Sequence, residues 1–93
     1  MSVYEKLPEH LQGGMRRYIE NGIGAGHFLT AVLCNDLLDA VFYADPKSLE
    51  ALPDIVKWLY NEAPSTCWGS KERVQEWHGD SLFRGETAYA SSV

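Results

Sequence analysis

The chain is short of cysteine, of basic charge and of long apolar runs, and each shortage removes a class of protein. Two cysteines, Cys34 and Cys67, in 93 residues are too few for a disulfide-stapled scaffold. One bridge between them is permitted in principle and would be a poor staple; Cys34, in an apolar helical run, reads as a small buried residue. Lysine and arginine total 8 against 13 acids, a net charge of −5. That disfavours direct nucleic-acid binding, because neutralising phosphates needs a basic field. It leaves room for a small anion in a local basic pocket, or for a basic partner protein. No apolar run reaches the roughly 18 residues of a membrane span, so no membrane contact is expected. Met1 to Leu11 lacks a basic stretch followed by an apolar one, so no secretion signal is read and a reducing cytoplasm is the expected location. Metal-ligand spacing is missing too. His10, His27, His78, Cys34 and Cys67 match no zinc pattern, so neither metal nor cofactor is expected. No spacing pairs Cys67 with a base such as His78, and no enzyme activity is expected.

What is present is enough apolar surface, 45% of residues with 12% aromatic, for one folded domain. The pattern predicts an all-α fold, a small four-helix domain over residues 1–79, followed by a C-terminal tail over 80–93. Pro8 to Asn21 reads as the first helix, with proline in its first turn and Gly22 as a left-handed stop. Leu11, Met15, Tyr18 and Ile19 fall at helical spacing on one face. Gly13 and Gly14 inside it cost about 0.5–1 kcal/mol each relative to alanine, so packing must hold the helix; the pair also fits a close backbone approach. Gly22 to Gly26 is a turn with three glycines. It precedes a helix, where backbone N–H groups could hold a phosphate, but a dinucleotide loop needs a preceding strand and here a helix precedes it.

A second helix is expected over His27 to Ala44, apolar around most of its circumference. Such a helix is buried in the middle of something, and a chain of 93 residues can hardly wrap it alone, so a homo-oligomer is expected. Asn35, Asp36 and Asp39 form its one polar strip, read as a helix-capping or ion-pairing strip in preference to a paired-carboxylate site. Asp45-Pro46 starts a third helix running to about Glu62; Pro53 should kink or restart it, and Pro64 ends it. Ser70 caps a short fourth helix through about His78, with Gly79 as its stop. The tail after it is small and polar, either frayed or docked on a neighbouring protomer.

The densest chemistry lies between the third and fourth helices, in WLYNEAPSTCWGS, residues 58–70. Trp68 offers a ring for stacking. Ser70, Lys71 and Arg73 stand at the positive end of a helix dipole, where a hydroxyl, backbone N–H groups and cations could meet an anion. Arg16, Arg17 and Asn61 are further candidate contributors to such a ligand site. The competing reading makes Trp58, Trp68 and Trp77 one core corner and leaves the cations in solvent.

The runs GGMRRYIENGI (13–23), FLTAVLCNDL (28–37), DIVKWLYNEAPSTCWGS (54–70) and the closing E-x-V-x-x-W (72–77) resemble a family of short proteins of tailed bacteriophages and prophages. The resemblance covers roughly residues 7 to 78. It implies a phage accessory product acting in the host bacterial cytoplasm, and it carries no catalytic residues. Small accessory proteins of this type often block host defence, by sequestering a small nucleotide signal or by binding a host defence protein. The expected function is therefore an oligomeric, non-enzymatic binder of an anionic, nucleotide-like molecule. The alternatives are an acidic protein-interaction module that inhibits a host protein, and a structural subunit of a phage complex.

Overall fold

A computed structural model describes residues 2–83. Their regular structure is all helical, with no strand among them, in five helices: α1 (Glu9–Asn21), α2 (Gly26–Leu33), α3 (Leu37–Tyr43), α4 (Pro46–Glu62) and α5 (Lys71–Glu76). A 3-10 turn, Val3–Lys6, precedes them. Ser2 caps that turn by accepting from the Tyr4 N–H at 3.2 Å, and Glu5 answers by accepting from the Ser2 N–H at 3.3 Å. The turn delivers Tyr4 and Leu7 into the core.

Helix α1 buries Leu11, Met15, Tyr18 and Ile19, the face expected from its spacing. Its end is closed by Gly22 at φ 71°, whose N–H reaches Tyr18 O at 2.9 Å. At Gly14 the backbone of the following turn does come near, with Ala25 O 4.0 Å from where a Cβ would stand. A Cβ on Gly14 would meet the Leu29 side chain at 3.5 Å, and one on Gly13 would meet the Arg17 guanidinium at 3.1 Å.

The single helix expected over 27–44 is two helices. Asn35 adopts φ 62° and breaks the run, a conformation asparagine tolerates better than most residues. The N–H of Asp36 then turns back to Ala31 O at 2.8 Å, and the Asp36 carboxylate caps α3 by accepting from the Asp39 N–H at 3.1 Å. Asn35 and Asp36 are thus a stop and a start. The rings of Tyr43, ending α3, and His27, beginning α2, stack at 5.0 Å, so the two helices run antiparallel as a hairpin. Only half of the expected buried helix is buried within the protomer. α2 sinks Leu29, Ala31, Val32 and Leu33 into the core, whereas α3 sinks Ala40 alone and exposes Leu37, Leu38, Val41 and Phe42.

Helix α4 begins as its sequence dictates, with the Asp45 carboxylate accepting from the Ser48 N–H at 2.7 Å and Pro46 in the first turn. It runs on through Pro53 without a restart. Pro53 and Leu49, whose carbonyl the proline leaves without its helical donor, both lie on the exposed side, where water can replace the lost bond. Ile55, Trp58 and Leu59 are its core contribution. Helix α5 ends at Glu76, sooner than the pattern implied, and Trp77 is already extended. Beyond it, Asp80 to Phe83 lies on the chain's own core. The Asp80 N–H donates to Ile19 O at 2.7 Å, and Phe83 is buried edge-on to Tyr4 with centroids 5.9 Å apart. The rest of the expected tail, 84–93, lies outside the described residues.

Candidate functional site

The connector from Trp58 to Ser70 is pinned to its own fold by several hydrogen bonds. The Trp58 indole donates to Val3 O at 3.1 Å. The Tyr18 hydroxyl donates to Cys67 O at 2.6 Å, and the Gly69 N–H donates to Leu33 O, the end of α2, at 2.7 Å. Trp77 shares its indole N–H between Tyr18 O at 2.9 Å and Ile19 O at 3.2 Å. Cys67 is fully buried, and burial pushes its thiol up to about 12. Both cysteines are free. This corner locks α4 and α5 onto α1 and α2.

Within it, Ser70 spends its hydroxyl accepting from the Arg73 N–H at 3.2 Å. Arg73 folds its guanidinium back onto the loop, donating to Ser65 O at 3.2 Å and Trp68 O at 3.4 Å. Trp68 is half-buried against the core. These three residues are brought together as mutual supports. Arg16 belongs to another neighbourhood. Its guanidinium lies 4.9 Å from the Tyr4 ring centroid, donates to the Ser2 hydroxyl at 2.9 Å and stands 4.0 Å from Glu20. Glu20 also accepts from the Tyr4 phenol at 2.9 Å; burial first, and this bond second, raise the phenol's pKa. Arg17 and Asn61 are exposed on α1 and α4. Of the seven candidate residues, Lys71 alone lines the main groove described next.

That groove, of about 800 Å³, runs along the outer side of the α2–α3 hairpin. One end is the stacked pair of His27 and Tyr43. Thr30, Cys34, Asn35, Asp36 and Asp39 line its length, and Lys71 closes the other end beside Cys34. From His27 to Cys34 the helical rise spans about 10 Å. Burial, and then the neighbouring Asp36 carboxylate, raise the Cys34 thiol above its usual value, so the neutral thiol is favoured. The side chains of Asn35, Asp39 and Lys71 make no hydrogen bond or ion pair to another described residue. Among the described residues no cluster of His, Cys, Asp and Glu is arranged to hold a metal ion.

Reading the sequence did not assemble this groove. Asn35 and Asp36, expected within a polar strip along one helix, are instead a break that folds α3 back, so that Asp39 and Tyr43 line the groove together with Thr30 and His27. Asn followed by Asp after an apolar run suits a left-handed stop followed by an N-cap, and it suits a continuous helix as well. Comparison with protein-family models, with curated proteins and with solved structures finds no match for this chain.

Proposed function

We propose that this protein is a non-enzymatic, oligomeric binding module of the phage accessory type, acting in the host bacterial cytoplasm, and that it captures a nucleotide-like small molecule in the α2–α3 groove. The observation that carries the reading is the set of uncommitted polar side chains in that groove. Asn35, Asp39 and Lys71 hold no partner among the described residues, beside an aromatic stack and within a space of a size that ligand sites commonly have. A planar base stacks at the His27–Tyr43 end, its amino or hydroxyl groups donate to Asp39 and the Asn35 carbonyl oxygen, and its anionic group meets Lys71. A neutral Cys34 thiol favours a contact role over a nucleophilic one. The site proposed is therefore the groove, with Lys71 kept from the original candidates and Trp68, Ser70 and Arg73 assigned to scaffold. The counter-defence role follows from the family resemblance and is proposed with it.

A thermal-shift panel of cyclic oligonucleotides and ADP-ribose derivatives tests this. A ligand at 100 times its dissociation constant adds about 2.7 kcal/mol, a readily measured rise in a domain this small. Lys71→Ala and Tyr43→Ala abolish the shift while Arg73→Ala keeps it. No shift with any member sinks the reading. The acidic interaction-module alternative is favoured by one feature, the bare apolar face of α3 beside Asp36 and Asp39. It predicts salt-sensitive capture of a basic host protein without any small-molecule shift.

A further inference from the structure

We infer that a second copy of this chain covers the outer face of α3 together with the flank of α4, forming a twofold dimer; this rests on the oligomeric part of the proposed function and names its interface. Helix α3 has seven residues and buries only Ala40 in its own protomer. A helix of two turns is not self-supporting in water, and its own core holds it weakly. Meanwhile Leu37 and Leu38 are 71% and 79% exposed and Phe42 is 76% exposed. On α4, Leu49, Val56 and Tyr60 recur at helical spacing on the flank away from the Glu50 and Asp54 side, and Tyr60 is 79% exposed. The two stripes are continuous, because Leu37 and Ala40 share one small cavity with Leu52 and Val56.

The bare area selects a second copy as the occupant. Taking roughly 150–200 Å² for a fully exposed large apolar residue, these side chains with Val41 leave about 650–900 Å² bare. A standard stable interface buries about 800 Å² on each partner. A twofold contact brings each patch to its own copy, so α3 of one copy lies along α4 of the other. The same contact holds α3 in place, and α3 supplies Leu37, Asp39 and Tyr43 to the groove.

The test is the mass in solution of the full chain, by sedimentation over a concentration series. The wild type is a dimer at high micromolar concentration. Leu38→Asp and Phe42→Asp, both at exposed positions, keep the helical circular dichroism and weaken association at least about 30-fold. A monomeric wild type overturns the interface and the oligomeric reading together. An assembly whose mass ignores Leu38→Asp and Phe42→Asp overturns the interface alone. Ligand capture is read separately, by the thermal shift, and its failure leaves the interface standing.

Discussion

Replacing Gly79 with alanine tests the tightest crossing in the fold. Gly79 has φ 102°, a conformation that disfavours any side chain. A Cβ there would stand 2.7 Å from Glu20 O and 2.8 Å from the carbonyl carbon of Asn21. From the opposite side, a Cβ on Gly22 would stand 2.8 Å from the carbonyl carbon of His78. The two glycines therefore face each other where the end of α1 passes the segment after α5. The obstructing atoms are backbone and cannot rotate aside. They are also fixed by bonds across the crossing, the Asp80 N–H to Ile19 O at 2.7 Å and the Trp77 indole to Tyr18 O at 2.9 Å.

Two costs combine in Gly79→Ala. The left-handed backbone costs alanine about 1–2 kcal/mol, and the overlap adds about 1–3 kcal/mol, as overpacking does elsewhere. The expected loss is then roughly 2–5 kcal/mol. In a domain of this size each kcal/mol moves Tm by about 4–8 °C, so Tm falls by at least about 10 °C. Gly24→Ala is the control. Nothing lies within 4 Å of a Cβ there, and the substitution restricts only the unfolded chain. It leaves Tm unchanged or raises it, by up to about 1 kcal/mol of stability. Thermal unfolding followed by far-ultraviolet circular dichroism reads both. A Gly79→Ala protein melting within about 3 °C of wild type refutes the crossing, as does a Gly24→Ala protein that loses as much stability as Gly79→Ala.

Two further outcomes follow from the corner. Tyr18→Phe removes the donor to Cys67 O, a buried bond of 2.6 Å, and costs about 1–3 kcal/mol by chemical denaturation with an unchanged m-value; a neutral substitution refutes the locking role of that hydroxyl. In alkali, the folded Cys67 thiol keeps its proton up to about 12, whereas the unfolded one ionises near 9.0. The folded chain therefore binds more protons in that window, so stability is full below pH 9 and falls as pH rises, with Tyr4 and Tyr18, also raised by burial, adding to the loss above 10.0. Cys67→Ala flattens the fall between pH 9 and 10 measured by denaturant titration; an unaltered slope shows that the thiol is not the group responsible.

What the sequence made legible was whatever is decided within a few residues. Asp45-Pro46, Ser70 and Gly22 act through their own backbone and the next turn, so their roles as caps follow from residue type. The face of α1 followed from spacing because that helix has one partner side, whereas α4 is apolar on two sides, burying Ile55, Trp58 and Leu59 and exposing Leu49, Val56 and Tyr60. The capping box from Ser2 to Glu5 was present in the sequence as S-x-x-E and passed unread, since it precedes a 3-10 turn and no longer apolar run. The break at Asn35 was not decided locally. A continuous helix over 27–44 would satisfy the same residues, and it is the return of the Asp36 N–H to Ala31 O, with Tyr43 stacking on His27, that settles the hairpin. Phe83 was hidden for the opposite reason: a lone aromatic in a polar stretch has no periodicity, and its burial against Tyr4 depends on the chain crossing at Gly79.

The same distinction explains why the aromatic corner looked like a binding site. Tryptophan, serine and arginine beside free helix N–H groups suit ligand capture and suit a buried joint equally well, and composition cannot separate the two. Counting where each polar group goes does separate them. In the corner the Trp58 and Trp77 indoles, the Tyr18 and Ser70 oxygens and the Arg73 guanidinium all meet the chain's own backbone, so a ligand there would have to break bonds before making any. In the groove Asn35, Asp39 and Lys71 have no such bond to give up. Polar groups without an internal partner have no bond to give up when a ligand arrives, and only the ordering of their side chains is left to be met on binding. By that criterion the corner holds α2 still while the groove alongside it does the binding. Lys71 joins the two regions: it follows the Ser70 cap of α5, and it lines the groove together with Cys34.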